Sequence, residues 1–171
     1  LLKQENALVA ISNAHVVAPF WKGAQLNDRI LQPGPYDGGT DADSIGILSL
    51  WVPIFFDGTA NKIDAALLRP TRGSVLCHIE AVPSAYEKFV TFEPGDKVTK
   101  SGRTSGRTEG VVVAVGAPVN VSYGEGRLAL FTDQMEIRRA DPGAFSVGGD
   151  SGSLVLSQDG KGIGGLLFAG G

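Results

Sequence analysis

The sequence predicts an all-β chain of short strands, and three observations carry that prediction. Apolar runs of a few residues recur along the chain between clusters of Gly, Pro, Asn and Asp, the pattern of strands separated by turns. Glycine supplies 24 of 171 residues, about twice the usual share of ~7%, and nine prolines add to the punctuation. Helical periodicity is scarce; its best instance is the short stretch Pro83–Val90.

The strand candidates are Ala7–Ile11, Ile45–Trp51, Ile63–Leu68, Val111–Val115, Leu128–Phe131, Leu154–Leu156 and Ile163–Phe168. Pro19–Asp43, rich in Pro, Gly and Asp, reads as a long loop. Arg69–Pro94 reads as a connector between two β units. The expected division is an N-terminal unit over 1–82, a connector over 83–94 and a C-terminal unit over 95–171.

Composition excludes several classes of function. The chain is 43% hydrophobic and 19% charged, enough apolar residue to bury a core. Fifteen basic against eighteen acidic residues give a net charge of −3 and a pI near 5.3. That balance argues against a nucleic-acid partner or a polybasic membrane surface. No apolar run reaches the ~18 residues of a spanning helix. A single cysteine excludes an intrachain disulfide. With polar Lys3–Asn6 where a signal peptide needs an apolar core, this favours a cytoplasmic location. No His/Cys/Asp/Glu group has metal-ligand spacing, so neither metal nor other cofactor is expected.

The segment richest in chemistry is Gly148–Ser153, GGDSGS, which leads into Leu154–Leu156. Glycines on both sides of Asp150-Ser151 permit a turn too tight for residues with a Cβ. Such a turn aims the N–H groups of Gly149 and Ser151 into one small space, as an oxyanion hole requires. Ser151 then stands where it can attack a carbonyl beside those donors. A serine hydroxyl needs a base. Two histidines are available: His15 in ISNAHVVA, and His78 in LCHIE beside Cys77. The base needs an orienting acid. Asp64 opens the apolar run of NKIDAALL, where a carboxylate is costly unless paired. Asp37, Asp41, Asp43 and Asp57 sit among loop residues and are expected to face water.

His15, Asp64 and Ser151 stand in the order His, Asp, Ser. That order, with SNAHVV at Ser12–Val17, DAALL at Asp64–Leu68 and GDSGS at Gly149–Ser153, resembles the chymotrypsin-like serine proteases. Lys100–Val112, KSGRTSGRTEGVV, resembles the start of the second barrel in bacterial, streptogrisin-like members. The resemblance spans about Ala7 to Gly170. It implies two packed six-stranded antiparallel β-barrels with the site in the cleft between them. It implies a serine endopeptidase acting on protein or peptide substrates. Ser151 is then the nucleophile, His15 the general base and acid, and Asp64 the group that holds the imidazole and stabilises its protonated form. Gly149 and Ser151 supply the oxyanion hole, and Asp150 is a buried carboxylate that stabilises the turn.

By the same alignment, the substrate side-chain pocket is formed by Phe145, Ser146, Phe168, Ala169 and Gly170. With no acid at Phe145, the preference is for a small or medium apolar residue before the cleaved bond. Phe168 stands where the family has a small polar residue, usually serine, near the catalytic acid. The family carries more strand before His15, and a further strand and helix after Gly171. The expectation is therefore of barrels incomplete at both termini, with unpaired edges or a second chain or segment completing them.

The competing readings are weaker. Cys77 and His78 are adjacent on an extended run, so their side chains point to opposite faces and form no dyad. Gly102–Gly110 lacks the Gly-Lys-Ser/Thr ending of a phosphate loop and reads as a turn, although its arginines could line a cleft. Arg138-Arg139 reads as a solvated strand end. The one functional alternative is a non-enzymatic binding or assembly module on the same fold.

Overall fold

The structure is a computed structural model that describes residues 2–4, 7–71, 73, 79–82 and 87–170. The chain divides into two compact units, one of Leu1–Pro53 with Asp64–Cys77, the other of Ile54–Ile63 with His78–Gly171.

In the first unit the described strands are β1 (Leu2–Gln4), β2 (Ala7–Ser12), β3 (Arg29–Leu31), β4 (Ser44–Trp51) and β5 (Ala66–Pro70). They form one antiparallel sheet in the order β1-β2-β5-β4-β3. Alternation of side chains puts Val9, Leu48 and Leu68 on the buried face, with Ala66 beside them. Gly46 is required where β4 meets β5: a Cβ there would lie 2.3 Å from the Arg69 carbonyl oxygen. One turn of helix, α1 (Ala14–Val17), follows β2.

The second unit holds β6 (Lys88–Phe89), β7 (Lys97–Gly102), β8 (Gly106–Ser122), β9 (Leu128–Arg139), β10 (Leu154–Ser157) and β11 (Gly162–Leu166). Their order is β6-β11-β10-β7-β8-β9. The tight β7–β8 hairpin pairs Gly102 with Gly106 and leaves Arg103–Ser105 as its tip. Phe92, Val98, Val112, Phe145 and Val155 form the buried centre, with Val90, Met135, Ile137 and Leu167 packed on it. Asn61 is stitched to β9: its N–H donates to the Leu130 carbonyl at 2.8 Å, and its carbonyl accepts from Thr132 N–H at 2.9 Å.

The all-β expectation holds, with local differences. Among the described residues the first unit has five strands where the resemblance implies six. In the second, β6 runs parallel to β11. Pro19–Asp43 is not all loop, because Arg29–Leu31 pairs with β4 and buries Ile30. In the stretch with helical spacing, Pro83–Tyr86 lie outside the described residues and Lys88–Phe89 is strand. Leu1 and Gly171, where open edges are expected, also lie outside the described residues.

Candidate active site

The first unit brings His15 and Asp64 together. β2 ends at Ser12, and the extended Asn13 turns the chain into α1, which carries His15. Asp64 lies two residues before β5. His15 Nδ1 is 2.5 Å from Asp64 Oδ2, and the His15 backbone N–H donates to Asp64 Oδ1 at 3.1 Å. One residue thus engages both carboxylate oxygens. The Asp64 side chain is fully buried, while the imidazole is 22% exposed. A ring nitrogen facing a carboxylate carries the proton, so in the neutral ring Nε2 is left as the basic atom. The rival acids are unlike Asp64: Asp37, Asp41 and Asp57 are exposed and Asp43 is half-buried.

Sequence reasoning missed Asn13. It is fully buried, and its Nδ2 donates to the Asp64 carbonyl oxygen at 2.8 Å. An asparagine before a helical turn reads as an ordinary cap, and nothing local indicates a partner so distant in the chain.

The second unit builds the turn around Ser151. Gly149 has φ +97° and Gly152 φ +91°, values that favour glycine. The turn is closed by Asp150 N–H to the Val147 carbonyl at 3.1 Å and Ser153 N–H to the Asp150 carbonyl at 3.1 Å. Gly152 N–H donates to the Leu167 carbonyl at 2.9 Å, tying the turn to the chain just after β11. Among the described residues, no protein acceptor takes the N–H of Gly149 or of Ser151. Two donors unengaged at the tip of a fixed turn are what an oxyanion site needs. Ser151 itself is half-buried.

Asp150 is the buried carboxylate that pins this turn. It is 1% exposed. Its Oδ1 accepts from the N–H groups of Thr104 at 2.9 Å and Ser105 at 3.0 Å. Its Oδ2 accepts from Ser105 Oγ at 2.6 Å, Val147 N–H at 3.0 Å and Lys100 Nζ at 3.1 Å. Burial alone would push this carboxyl up. The hydroxyl and N–H of Ser105, the Val147 N–H and the Lys100 ammonium outweigh it and hold Asp150 well below the usual carboxylate range. Lys100 is fully buried and also donates to the Gly106 carbonyl at 3.0 Å and to Ser105 Oγ. Sequence reasoning did not single out Lys100. A lysine in the alternating KVTKSG reads as a solvated position, and its acid lies 50 residues further on.

The proposed pocket residues separate into two groups. Phe145 is 6% exposed, its ring is part of the buried centre, and its carbonyl accepts from Thr108 Oγ1 at 2.7 Å. Ser146 is 8% exposed and lies against Gly170, where a Cβ would sit 2.3 Å from Ser146 Oγ. The Phe168 ring packs on Phe131 with centroids 4.7 Å apart, and a phenyl ring has no hydroxyl to donate. Ala169 is half-buried and Gly170 exposed. Cys77 and His78 lie outside the described residues. Among the described residues, no three His, Cys, Asp or Glu side chains gather as a metal site would require. No helix there is long and apolar enough to cross a membrane.

No protein-family profile and no curated protein sequence matches the chain. Solved structures do. A glutamic-acid-specific serine protease, described as using a histidine triad in substrate binding, is 20% identical with a TM-score of 0.58; the match covers 98% of this chain and 79% of that one. Cellulomonas bogoriensis chymotrypsin is 23% identical with a TM-score of 0.53, over 78% of this chain and 65% of that one. The Nocardiopsis protease NAPase is 16% identical with a TM-score of 0.61, over 96% of this chain and 71% of that one. The chain has the chymotrypsin-like serine-protease fold.

Proposed function

We propose that the chain is a serine endopeptidase that cleaves peptide bonds through an acyl-enzyme formed on Ser151. In this reading His15 Nε2 takes the Ser151 hydroxyl proton as Oγ bonds to the substrate carbonyl carbon. The carbonyl oxygen becomes an oxyanion and accepts from the N–H groups of Gly149 and Ser151, each such donor being worth about 2.7–4 kcal/mol. The imidazolium gives its proton to the leaving amine, and a water, activated by the same imidazole, hydrolyses the ester. Asp64 stays ionised throughout, fixing the tautomer and stabilising the imidazolium. The observation that carries the reading is the 2.5 Å contact between His15 Nδ1 and the buried Asp64 carboxylate. A second support is the turn at Ser151, with two N–H donors that no described protein group accepts. The residue preceding the cleaved bond is small or medium and apolar, because Ser146, Phe168, Ala169 and Gly170 bring no charge to a pocket and Phe145, whose ring is packed in the buried centre, puts no acid beneath it.

The test is a fluorophosphonate probe on the whole chain, followed by a peptide panel varied at that one position. Labelling at Ser151 is expected, with its loss in Ser151→Ala. Turnover should fall by on the order of 10⁶ in that variant. A folded protein that the probe does not label is a binding or assembly module, and the proposal fails. A best substrate with Lys, Arg or Glu before the cleaved bond overturns the pocket assignment alone.

A further inference from the structure

We infer that Asn13 is a positioning residue for the His15–Asp64 pair, an assignment that rests on the protease reading for its catalytic meaning. Asn13 precedes α1, where asparagine ordinarily turns its side-chain oxygen onto an N–H of the first helical turn. Here the side chain makes no such bond. The Asn13 main chain does the local work: its carbonyl accepts from Val16 and Val17 N–H, both at 3.2 Å. The side chain is instead directed across the unit, and Nδ2 donates to the Asp64 carbonyl oxygen at 2.8 Å.

Asp64 is therefore gripped from one short segment at three atoms. Asn13 Nδ2 holds its carbonyl oxygen, His15 N–H holds Oδ1, and His15 Nδ1 meets Oδ2. The His15 contacts alone fix the carboxylate to the imidazole. The Asn13 bond fixes the Asp64 backbone to the residue two before His15, so the main chain that carries the carboxylate is held in place beside the imidazole. The amide orientation is unambiguous, since the reverse flip would set Oδ1 against the Asp64 oxygen. That orientation leaves Asn13 Oδ1 buried with no hydrogen-bond partner among the described residues. A buried unsatisfied acceptor calls for an explanation. It is the consequence of an amide placed for its donor.

The test compares wild type with Asn13→Ser and Asn13→Asp in the whole chain. Serine retains a side chain able to cap α1 but is too short for Asp64. Aspartate keeps the size and shape of asparagine but has no donor when ionised. Folding is checked by circular dichroism. The first readout is the far-downfield proton resonance of His15 Nδ1–H, which needs no substrate. It is expected to be sharp in wild type and to broaden or move upfield in both variants. The second is peptide turnover: kcat should fall by up to on the order of 10²-fold, the scale of a misplaced catalytic group, while KM stays near wild type. A structural role alone would lower the melting temperature and leave the resonance and kcat of the folded fraction unchanged. A folded variant of either kind with the wild-type resonance and kcat overturns the inference. If Asn13→Ser does not fold, Asn13→Asp decides by the same two readouts. If the wild type neither labels nor cleaves, the protease reading fails, and the resonance still decides whether Asn13 holds the pair.

Discussion

Replacing Lys100 by methionine tests how the Ser151 turn is held. Methionine fills most of the lysine volume but removes the ammonium. The change deletes the donors to Asp150 Oδ2, Gly106 O and Ser105 Oγ, all from a side chain with no solvent exposure. Asp150 would keep four donors, from Thr104, Ser105 twice and Val147. Removing one partner of a buried ion pair costs about 3–5 kcal/mol. The four remaining donors favour the lower end, about 3 kcal/mol. For a chain of this length that is a fall of about 6–12 °C in melting temperature. The matched control is Lys62→Met, which breaks an ion pair with Asp133 whose side chains are 64% and 68% exposed. That change should cost less than about 1 kcal/mol. Melting is followed by far-UV circular dichroism, since Trp21 and Trp51 both lie in the first unit. The gap between wild type and Lys100→Met also has a signed pH dependence. The Asp150 carboxyl is held below its ordinary value, so the stability it contributes is present above about pH 3.9. It is lost as the pH falls through the native value. The gap should therefore be full at neutral pH and narrow only in acid below the ordinary carboxylate range, where Asp150 of the variant, without its cation, takes up a proton at a higher pH than Asp150 of the wild type. Equal melting of the two lysine variants, or a gap that widens in acid, would refute the reasoning.

Three further outcomes follow from the same geometry. Gly149→Ala puts a Cβ on a backbone at φ +97° and 2.3 Å from Thr104 Oγ1, so a cost of about 1–3 kcal/mol and loss of probe labelling are expected. Gly102→Ala directs its Cβ to within 2.5 Å of Asp150 Oδ1, a carboxylate fixed from all sides. About 1–3 kcal/mol of overpacking and slower labelling should be seen by melting and probe kinetics. Asp64→Asn removes the acceptor facing His15 Nδ1; peptide turnover should fall by on the order of 10⁴ while the fold is kept.

What the sequence made legible, and what it hid, divides by distance along the chain. Val111–Val115, Leu128–Phe131, Leu154–Leu156 and Ile163–Phe168 each fall on strands β8 to β11, at least in part, because several apolar residues repeat within a few positions. Arg29–Leu31 and Lys88–Phe89 carry no such pattern. The first buries only Ile30, the second has both residues exposed, and each is strand because a neighbour offers its edge. Asp64 could be singled out, since a carboxylate opening an apolar run demands a partner. Lys100 and Asn13 could not. Each has an unremarkable local setting, and its hydrogen-bond partner lies 50 or 51 residues away.

Those two residues share a physical logic. Each unit contains one fully or almost fully buried carboxylate next to the group that would react: Asp64 beside His15, and Asp150 beside Ser151. A buried carboxylate is tolerable only when donors converge on it. In each unit part of those donors come from the reactive segment itself, His15 N–H and Nδ1 in one, Val147 N–H in the other. For Asp150 the remaining bonds come from a distant part of the chain, Lys100 with the Thr104–Ser105 backbone; for Asp64 the third bond, from Asn13 to its carbonyl, comes from the His15 segment itself, 51 residues away. The acid thus becomes a rivet between a reactive segment and its sheet. Stabilising a transition state by fixed donors requires that their orientation is already set before charge develops. The two clusters meet that requirement within each unit separately. Under the proposed serine-protease reading, the cost of ordering the Ser151 turn or the His15 ring is borne in folding rather than in the chemical step.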